Sequence, residues 1–184
     1  MKRIVDIVVS LLALIILSPL IILIALLIKY DSKGCVIFKQ ERVGQFGKAF
    51  SLYKFRSMIA GSESVGPYYT RDGDPRITPV GKIVRKTSLD ELPQLINVLR
   101  GDMSLVGPRP DVPKQRANYT ESDWNKRNLV RPGITGLAQA RLRSNASLDE
   151  RTRLDLEYVE NVSLGYDFWI IIMTVRQVLL KGGN

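Results

Sequence analysis

Ile7-Val8-Val9-Ser10-Leu11-Leu12-Ala13-Leu14-Ile15-Ile16-Leu17-Ser18-Pro19-Leu20-Ile21-Ile22-Leu23-Ile24-Ala25-Leu26-Leu27-Ile28 is a run of 22 residues interrupted only by Ser10, Ser18 and Pro19. As one straight helix rising ~1.5 Å per residue it just reaches across a ~30 Å hydrocarbon core. A secretory signal fits less well: the run exceeds a signal h-region, and Lys29-Tyr30-Asp31-Ser32-Lys33-Gly34 offers no small-residue cleavage pattern. Two features favour entry and exit through one leaflet. Lys2 and Arg3 precede the run while Lys29, Lys33, Lys39 and Arg42 follow it, so the positive-inside preference draws both flanks to the cytoplasm. Pro19 has no N–H for the carbonyl of Ile15 and its ring crowds that carbonyl, which favours a kink, and the Ser18 hydroxyl can satisfy the freed group. The expectation is a re-entrant helix-break-helix with arms Ile7 to Leu17 and Leu20 to Ile28. A straight span is the competing reading, because prolines also occur in spanning helices.

Outward from this run, the 184 residues suffice for one compact domain plus an appendage. Residues 1–30 are read as the membrane hairpin and 31–184 as a cytosol-facing catalytic domain on the membrane surface. The 27 Lys and Arg against 18 Asp and Glu give a net charge of +9, which favours a polyanionic partner such as headgroups, nucleotide phosphates or nucleic acid. There is no histidine, so a His general base, a Ser/His or Cys/His dyad and a His-ligated metal are excluded. Chemistry here must use carboxylates, Lys, Arg, hydroxyls or a hard metal ion. Cys35, the single cysteine, forms no internal disulfide and reads as a passive thiol beside the membrane.

Within residues 31–184, Val36-Ile37-Phe38 and Phe50-Ser51-Leu52-Tyr53 read as short strands of a hairpin around Gly44-Gln45-Phe46-Gly47. Gly61 to Pro75, rich in Gly, Ser, Pro and Asp, reads as a long loop. Leu92, Leu95, Ile96 and Leu99 follow the i, i+3, i+4, i+7 spacing of a helix face that Gly101 ends. Ser147-Leu148-Asp149-Glu150 is a capping box opening a further helix. Tyr166 to Lys181 reads as a helix too short to span; its aromatic and aliphatic residues suit either the membrane interface or the core.

Asp90 and Glu91 stand at the start of the Leu92 to Leu99 pattern. Acidic residues there complement the helix dipole, which is a sufficient structural reason for them. The basic frame of Arg85 and Lys86 adds a second reading, because a helix terminus that favours a carboxylate also favours a phosphate. In a chain without histidine a carboxylate is the natural nucleophile toward phosphorus, and two adjacent carboxylates suit Mg²⁺ held jointly with substrate phosphates. Pro108-Arg109-Pro110 holds one guanidinium on a stiff backbone, either to bind phosphate or a uracil edge or as part of a surface turn. Lys54 and Arg56 alternate with Tyr53 and Phe55, giving either an anion-binding or a merely solvated basic face. Arg131-Pro132-Gly133-Ile134-Thr135-Gly136 is a glycine-punctuated loop able to offer backbone N–H groups to an anion. Asp155 and Asp167 read as structural ion-pair partners.

The stretch from Arg85 to Pro110, with Thr87-Ser88-Leu89-Asp90-Glu91-Leu92-Pro93-Gln94 and Gly107-Pro108-Arg109-Pro110 inside it, resembles the signature of the bacterial sugar transferases, the monotopic phosphoglycosyl transferases. Ser18-Pro19, Tyr53-Lys54-Phe55-Arg56-Ser57-Met58 and Arg131 to Gln139 extend the resemblance over nearly the whole chain, which looks like the small members that consist of the catalytic core. The resemblance implies a small α/β membrane-associated domain with a re-entrant helix-break-helix, interfacial amphipathic helices and few short strands. It implies Mg²⁺-dependent transfer of a phosphosugar from a UDP-sugar to a polyprenyl phosphate, on the cytoplasmic face of the bacterial inner membrane. Asp90 would be the nucleophile forming an aspartyl phosphosugar, and Glu91 its metal-site or proton-handling partner. Lys54, Arg85 and Arg109 would hold phosphate or nucleotide, with the Pro108-Arg109-Pro110 unit at the uridine end; Arg56 and Arg131 are counted with them as substrate-binding from the reading of their own segments. No nucleic acid is expected as a partner, and an oligomer is left open. Two other readings stand beside it: a tethered protein that binds anionic lipid or nucleic acid without turnover, and a lipid-phosphate hydrolase using the same carboxylates.

Overall fold

The computed structural model describes residues 1–62, 73–142 and 147–181. Helices α1 (Lys2–Ile16) and α2 (Ser18–Asp31) form the apolar run, with Leu17 between them and a 63° bend. Ser18 Oγ donates to the carbonyl of Ile15 at 2.8 Å, so the group that Pro19 strands is satisfied locally, as the sequence suggests. Among the described residues no single helix is long and apolar enough to cross a membrane; the bent pair passes that test only together. The break falls at Leu17 and both helices run beyond the expected arms, because Pro19 is accommodated in the first turn of α2, where a missing N–H costs nothing.

Both ends of this pair lie against the rest of the chain. At the start of α1, the Arg3 guanidinium donates to the carbonyls of Val98 and Leu99. Asp6, buried, accepts from Ser104 Oγ and from the Leu105 N–H at 3.1 Å. Lys2 Nζ meets Asp167 and the carbonyl of Val106. In α2, Ile24 and Ile28 are buried with Phe55 and Val84, and Leu89 and Leu92 pack on the same cluster. Residues 1–30 and 31–184 thus share a core. The remaining arm surface is apolar and open: Leu12, Ile15 and Ile16 of α1 and Ile22, Leu23 and Leu26 of α2 are all about half exposed or more.

Strands β1 (Ile37–Val43) and β2 (Ala49–Phe55) form the expected antiparallel hairpin, from Ile37 opposite Phe55 to Val43 opposite Ala49. After it come α3 (Pro79–Lys86), α4 (Gln94–Arg100) and β3 (Ser104–Val106), then α5 (Glu121–Arg127), β4 (Gly133–Thr135) and α6 (Leu137–Arg141). Helices α7 (Leu148–Glu160) and α8 (Leu164–Lys181) complete the order. The second sheet is the parallel pair β3 and β4. Few short strands among many helices is the mixed α/β character the sequence suggests. Of the loop expected over Gly61 to Pro75, residues 63–72 lie outside the described residues.

The capping box opens α7 as anticipated: Ser147 Oγ accepts from the Glu150 N–H and the Glu150 carboxylate accepts from the Ser147 N–H. The core reading of the last helix holds for one face, and the other face is exposed. Ile170 is fully buried in a cluster with Leu154, Tyr158 and Leu137, while Phe168, Trp169, Ile172 and Val175 stay exposed. Asp155 and Asp167 are ion-pair partners, of Arg127 and Lys2 respectively.

Candidate active site

Asp90 and Glu91 belong to a 3₁₀ turn, Leu89–Glu91, that precedes the seven-residue α4. They therefore sit ahead of that helix rather than in its first turn. Ser88 makes the entry with φ 56°, a left-handed conformation uncommon for a residue with a Cβ. Leu89 and Leu92 then drop onto Ile24 and Ile28 of the bent helix pair. The apolar arms thus form the floor under the two carboxylates.

Glu91 is the hub. Its Oε1 accepts from Lys54 Nζ at 2.8 Å and from Arg109 Nη2 at 2.9 Å. Lys54 arrives from β2 and Arg109 from the loop after β3, so three segments converge on one oxygen. Burial alone would raise the pKa of Glu91, but the charges of Arg109 and Lys54 outweigh it and lower it to about 2. Lys54 is itself lowered, mainly by burial, with Glu91 acting in the opposite sense. Arg109 is raised by Glu91.

Asp90 differs from its neighbour. It is 8% exposed and enters none of the hydrogen bonds or ion pairs among the described residues. Burial raises its pKa; Lys54, Arg85 and Arg109 pull it down while Glu91 pushes it up. A carboxylate without a donor keeps its lone pairs for a ligand. Arg85, from the last turn of α3, is close enough to act on Asp90 and also reaches Ser57 Oγ at 3.5 Å.

Pro108 and Pro110 flank Arg109 in a loop that is pinned at three carbonyls. Gly133 N–H donates to the Pro108 carbonyl, Arg42 Nη1 to the Pro110 carbonyl, and Arg127 Nη2 to the carbonyl of Arg109 itself. Arg127 is 2% exposed and holds Asp111 at 2.9 Å and Asp155 at 2.8 Å. This buried charge group supports the Arg109 loop from behind.

Two expected ligand residues lie elsewhere. Arg56 does not reach the carboxylates: its guanidinium donates to the carbonyls of Ile28, Ser32 and Lys33 and closes the C-terminal end of α2. The reason is that β2 ends at Phe55, so the period-two alternation that pairs it with Lys54 no longer applies. Arg131 donates through Nε to the carbonyl of Gly101, which ends α4. In its glycine-rich loop the Gly133 N–H is taken by the Pro108 carbonyl. A Cβ on Gly107 would stand 2.3 Å from the Arg131 carbonyl oxygen and one on Gly133 would stand 2.1 Å from the Gly107 nitrogen, so these glycines serve backbone-to-backbone contact. The Gly107 N–H donates to Thr135 and closes that contact.

A shallow recess open to solvent lies on the Lys54 and Arg109 side of the site, lined by Arg42, Lys54, Arg109 and Gln94 with Leu52 and Ile134. The sequence reading treats Arg42 only as a flanking charge and passes over Gln94, which is 3% exposed. The register was the missing signal for Arg42: Phe38 pairs with Lys54 and Arg42 with Phe50, so Arg42 and Lys54 share one face of the hairpin. Among the described residues no group of three acidic or thiol side chains could cage a metal ion. Asp90, with both oxygens unengaged, and Glu91, whose hydrogen bonds fall on Oε1, fit Mg²⁺ of the kind held through one or two carboxylates plus substrate phosphates.

A family model described as bacterial sugar transferase matches residues 1–181. Among curated proteins, the exopolysaccharide production protein PSS of Rhizobium leguminosarum bv. phaseoli is 47% identical over 99% of this chain and 96% of its own length. The UDP-N-acetylgalactosamine-undecaprenyl-phosphate N-acetylgalactosaminephosphotransferase of Aeromonas hydrophila is 44% identical over 99% of this chain. The UDP-glucose:undecaprenyl-phosphate glucose-1-phosphate transferase of Escherichia coli is 42% identical over 95% of it. The chain spans only 44% and 39% of the length of those last two relatives.

Proposed function

The chain belongs to the bacterial sugar transferase family, and from that premise we propose that it moves a sugar phosphate from a UDP-sugar to a polyprenyl phosphate, releasing UMP. The observation that carries this reading is the division between adjacent carboxylates. Glu91 is committed to Lys54 and Arg109, whereas Asp90 is buried, unpartnered and surrounded by the same cations. One group holds the frame and the other is kept for phosphorus.

In the proposed reaction an Asp90 carboxylate oxygen attacks the sugar-side phosphorus of the donor. The bond from that phosphorus to the bridging oxygen breaks, and UMP leaves with the electron pair. An oxygen of polyprenyl phosphate then attacks the phosphorus of the aspartyl phosphosugar, the acyl-phosphate bond breaks, and Asp90 returns as a carboxylate. Lys54, Arg85 and Arg109 bind and neutralise phosphate oxygens, with the rigid Arg109 loop orienting them. Asp90 and Glu91 would hold Mg²⁺ when it is bound, where it supplies charge neutralisation at the leaving phosphate.

Placement on the cytoplasmic face of the bacterial inner membrane, in one leaflet, is part of the proposal. It is supported by the docking of Lys2, Arg3 and Asp6 at one end of the bent pair and of Arg56 at the other, all on one domain, with apolar arms exposed between. A shallow anchor brings a soluble nucleotide sugar and a lipid phosphate to one carboxylate. The test is UMP release from a panel of UDP-sugars by nanodisc-held protein with Mg²⁺ and polyprenyl phosphate. Asp90→Asn must abolish both UMP release and a covalent phosphosugar adduct. Retained turnover in that variant defeats the mechanism; phosphate release without lipid product would instead favour a hydrolase, and salt-sensitive lipid or nucleic-acid binding without turnover a binding protein.

A further inference from the structure

Arg42 lines the recess with its guanidinium hydrogen-bonded to neutral acceptors, and Asp111 and Glu91 act on it only at longer range. Its Nε and Nη2 donate to Gln40 Oε1 at 3.1 and 2.5 Å, and its Nη1 donates to the Pro110 carbonyl at 2.8 Å. Both acceptors are neutral. Among the described residues Arg42 forms no ion pair, whereas Lys54 and Arg109 share Glu91. A guanidinium carries five N–H donors, and these contacts use three. Burial and the charge of nearby Arg109 lower its pKa to about 10, which marks the electrostatic cost of keeping it there.

An orientation fixed by Gln40 on one edge and by the Arg109 loop on the other is a poor arrangement for a solvated surface charge. It suits a fork pre-set for an anion. Arg42, Lys54 and Arg109 line the recess together, while the carboxylates that act on them, Asp90, Glu91 and Asp111, do not line it, so its wall presents cations to an anion. Phosphate, with paired oxygens spaced for a guanidinium fork, fits better than a single carboxylate.

We propose that Arg42 is a phosphate-binding residue of this recess, completing with Lys54 and Arg109 a subsite for a phosphate or diphosphate, and that Gln40 is its positioning residue. The proposal rests on the transferase reading only for the source of that phosphate, which is either the nucleotide donor or the lipid acceptor.

Inorganic pyrophosphate is the probe, titrated calorimetrically into the full chain in nanodiscs and needing no turnover. Arg42→Gln is expected to weaken binding at least tenfold, and Arg42→Lys less, because it restores charge without the fork. Gln40→Ala keeps the charge and removes its brace; it is expected to weaken binding several-fold, and it stands in if Arg42→Gln does not fold. Steady-state KM values for UDP-sugar and for polyprenyl phosphate then assign the source, since Arg42→Gln raises the one whose phosphate Arg42 holds. Wild-type protein that fails to bind pyrophosphate overturns the proposal, as does Arg42→Gln with unchanged affinity and both KM values unchanged. Pyrophosphate bound through Arg42 without UMP release from any UDP-sugar defeats the transferase reading and leaves this one standing.

Discussion

Glu91 and Arg109 are 18 residues apart in the chain, yet Glu91 Oε1 and Arg109 Nη2 are 2.9 Å apart. The same oxygen takes Lys54. A single carboxylate therefore ties the Leu89–Glu91 turn, the β1–β2 hairpin and the Arg109 loop together, and leaves Asp90 between them.

Glu91→Gln should destabilise the fold at neutral pH by about 2 kcal/mol, because it leaves two cations facing each other in a partly buried setting. The pH dependence has a definite sign. The folded pKa of Glu91, about 2, lies below its ordinary 4.5, so its contribution is present above pH 4.5 and is lost as pH falls toward 2. Denaturant unfolding at a series of pH values should show wild type losing stability across that window more steeply than the variant.

In the proposed mechanism Asp90 must be ionised to attack, and burial raises its pKa above 3.8. Single-turnover UMP release should accordingly reach half its maximum at a pH above 3.8. Removing the negative neighbour by Glu91→Gln should move that midpoint down, and removing the positive one by Lys54→Met should move it up. A midpoint unmoved by either change would mean that a group other than Asp90 governs the limb.

Arg56→Ala should cost stability rather than substrate affinity. Loss of the guanidinium strands carbonyls of Ile28, Ser32 and Lys33, a penalty of roughly 2–4 kcal/mol. Thermal unfolding should fall by several degrees while KM for the UDP-sugar stays within twofold of wild type. A raised KM in well-folded protein would restore Arg56 to the binding site.

Pro19→Ala removes the ring that crowds the Ile15 carbonyl and permits one continuous helix across the 63° bend. A cysteine placed at residue 2 should be shielded from impermeant reagent on the far side of sealed vesicles in otherwise wild-type protein. It should become partly accessible there in the variant. Accessibility in the wild-type background would show a spanning helix.

Features governed by neighbours in sequence were legible in the sequence. The Ser18-Pro19 break, the hairpin around Gly44 to Gly47 and the Ser147–Glu150 capping box are local matters of missing N–H groups, turn geometry and side chains reaching three residues along. Composition bounded the chemistry equally clearly, since a chain without histidine is left with carboxylates, Lys, Arg, hydroxyls or a hard metal ion. Lys2, Arg3 and Asp6 show the limit. Two were read only as basic flanks that the positive-inside preference draws to the cytoplasm and the third drew no comment, but all three are engaged with residues about a hundred positions away or more.

By itself, then, the sequence determined the bent apolar helix pair, the few short strands and the candidate carboxylates, because each depends on bonding within a few residues. Only the tertiary structure decided which charges meet. It gave Glu91 to Lys54 and Arg109, left Asp90 unpartnered, turned Arg56 onto the end of α2 and brought Arg42 into the recess. The physical reason is that a charge pairs with whatever the packed core sets within a few ångströms of it, and strand register and long-range docking, which fix those distances, are not written in any local pattern.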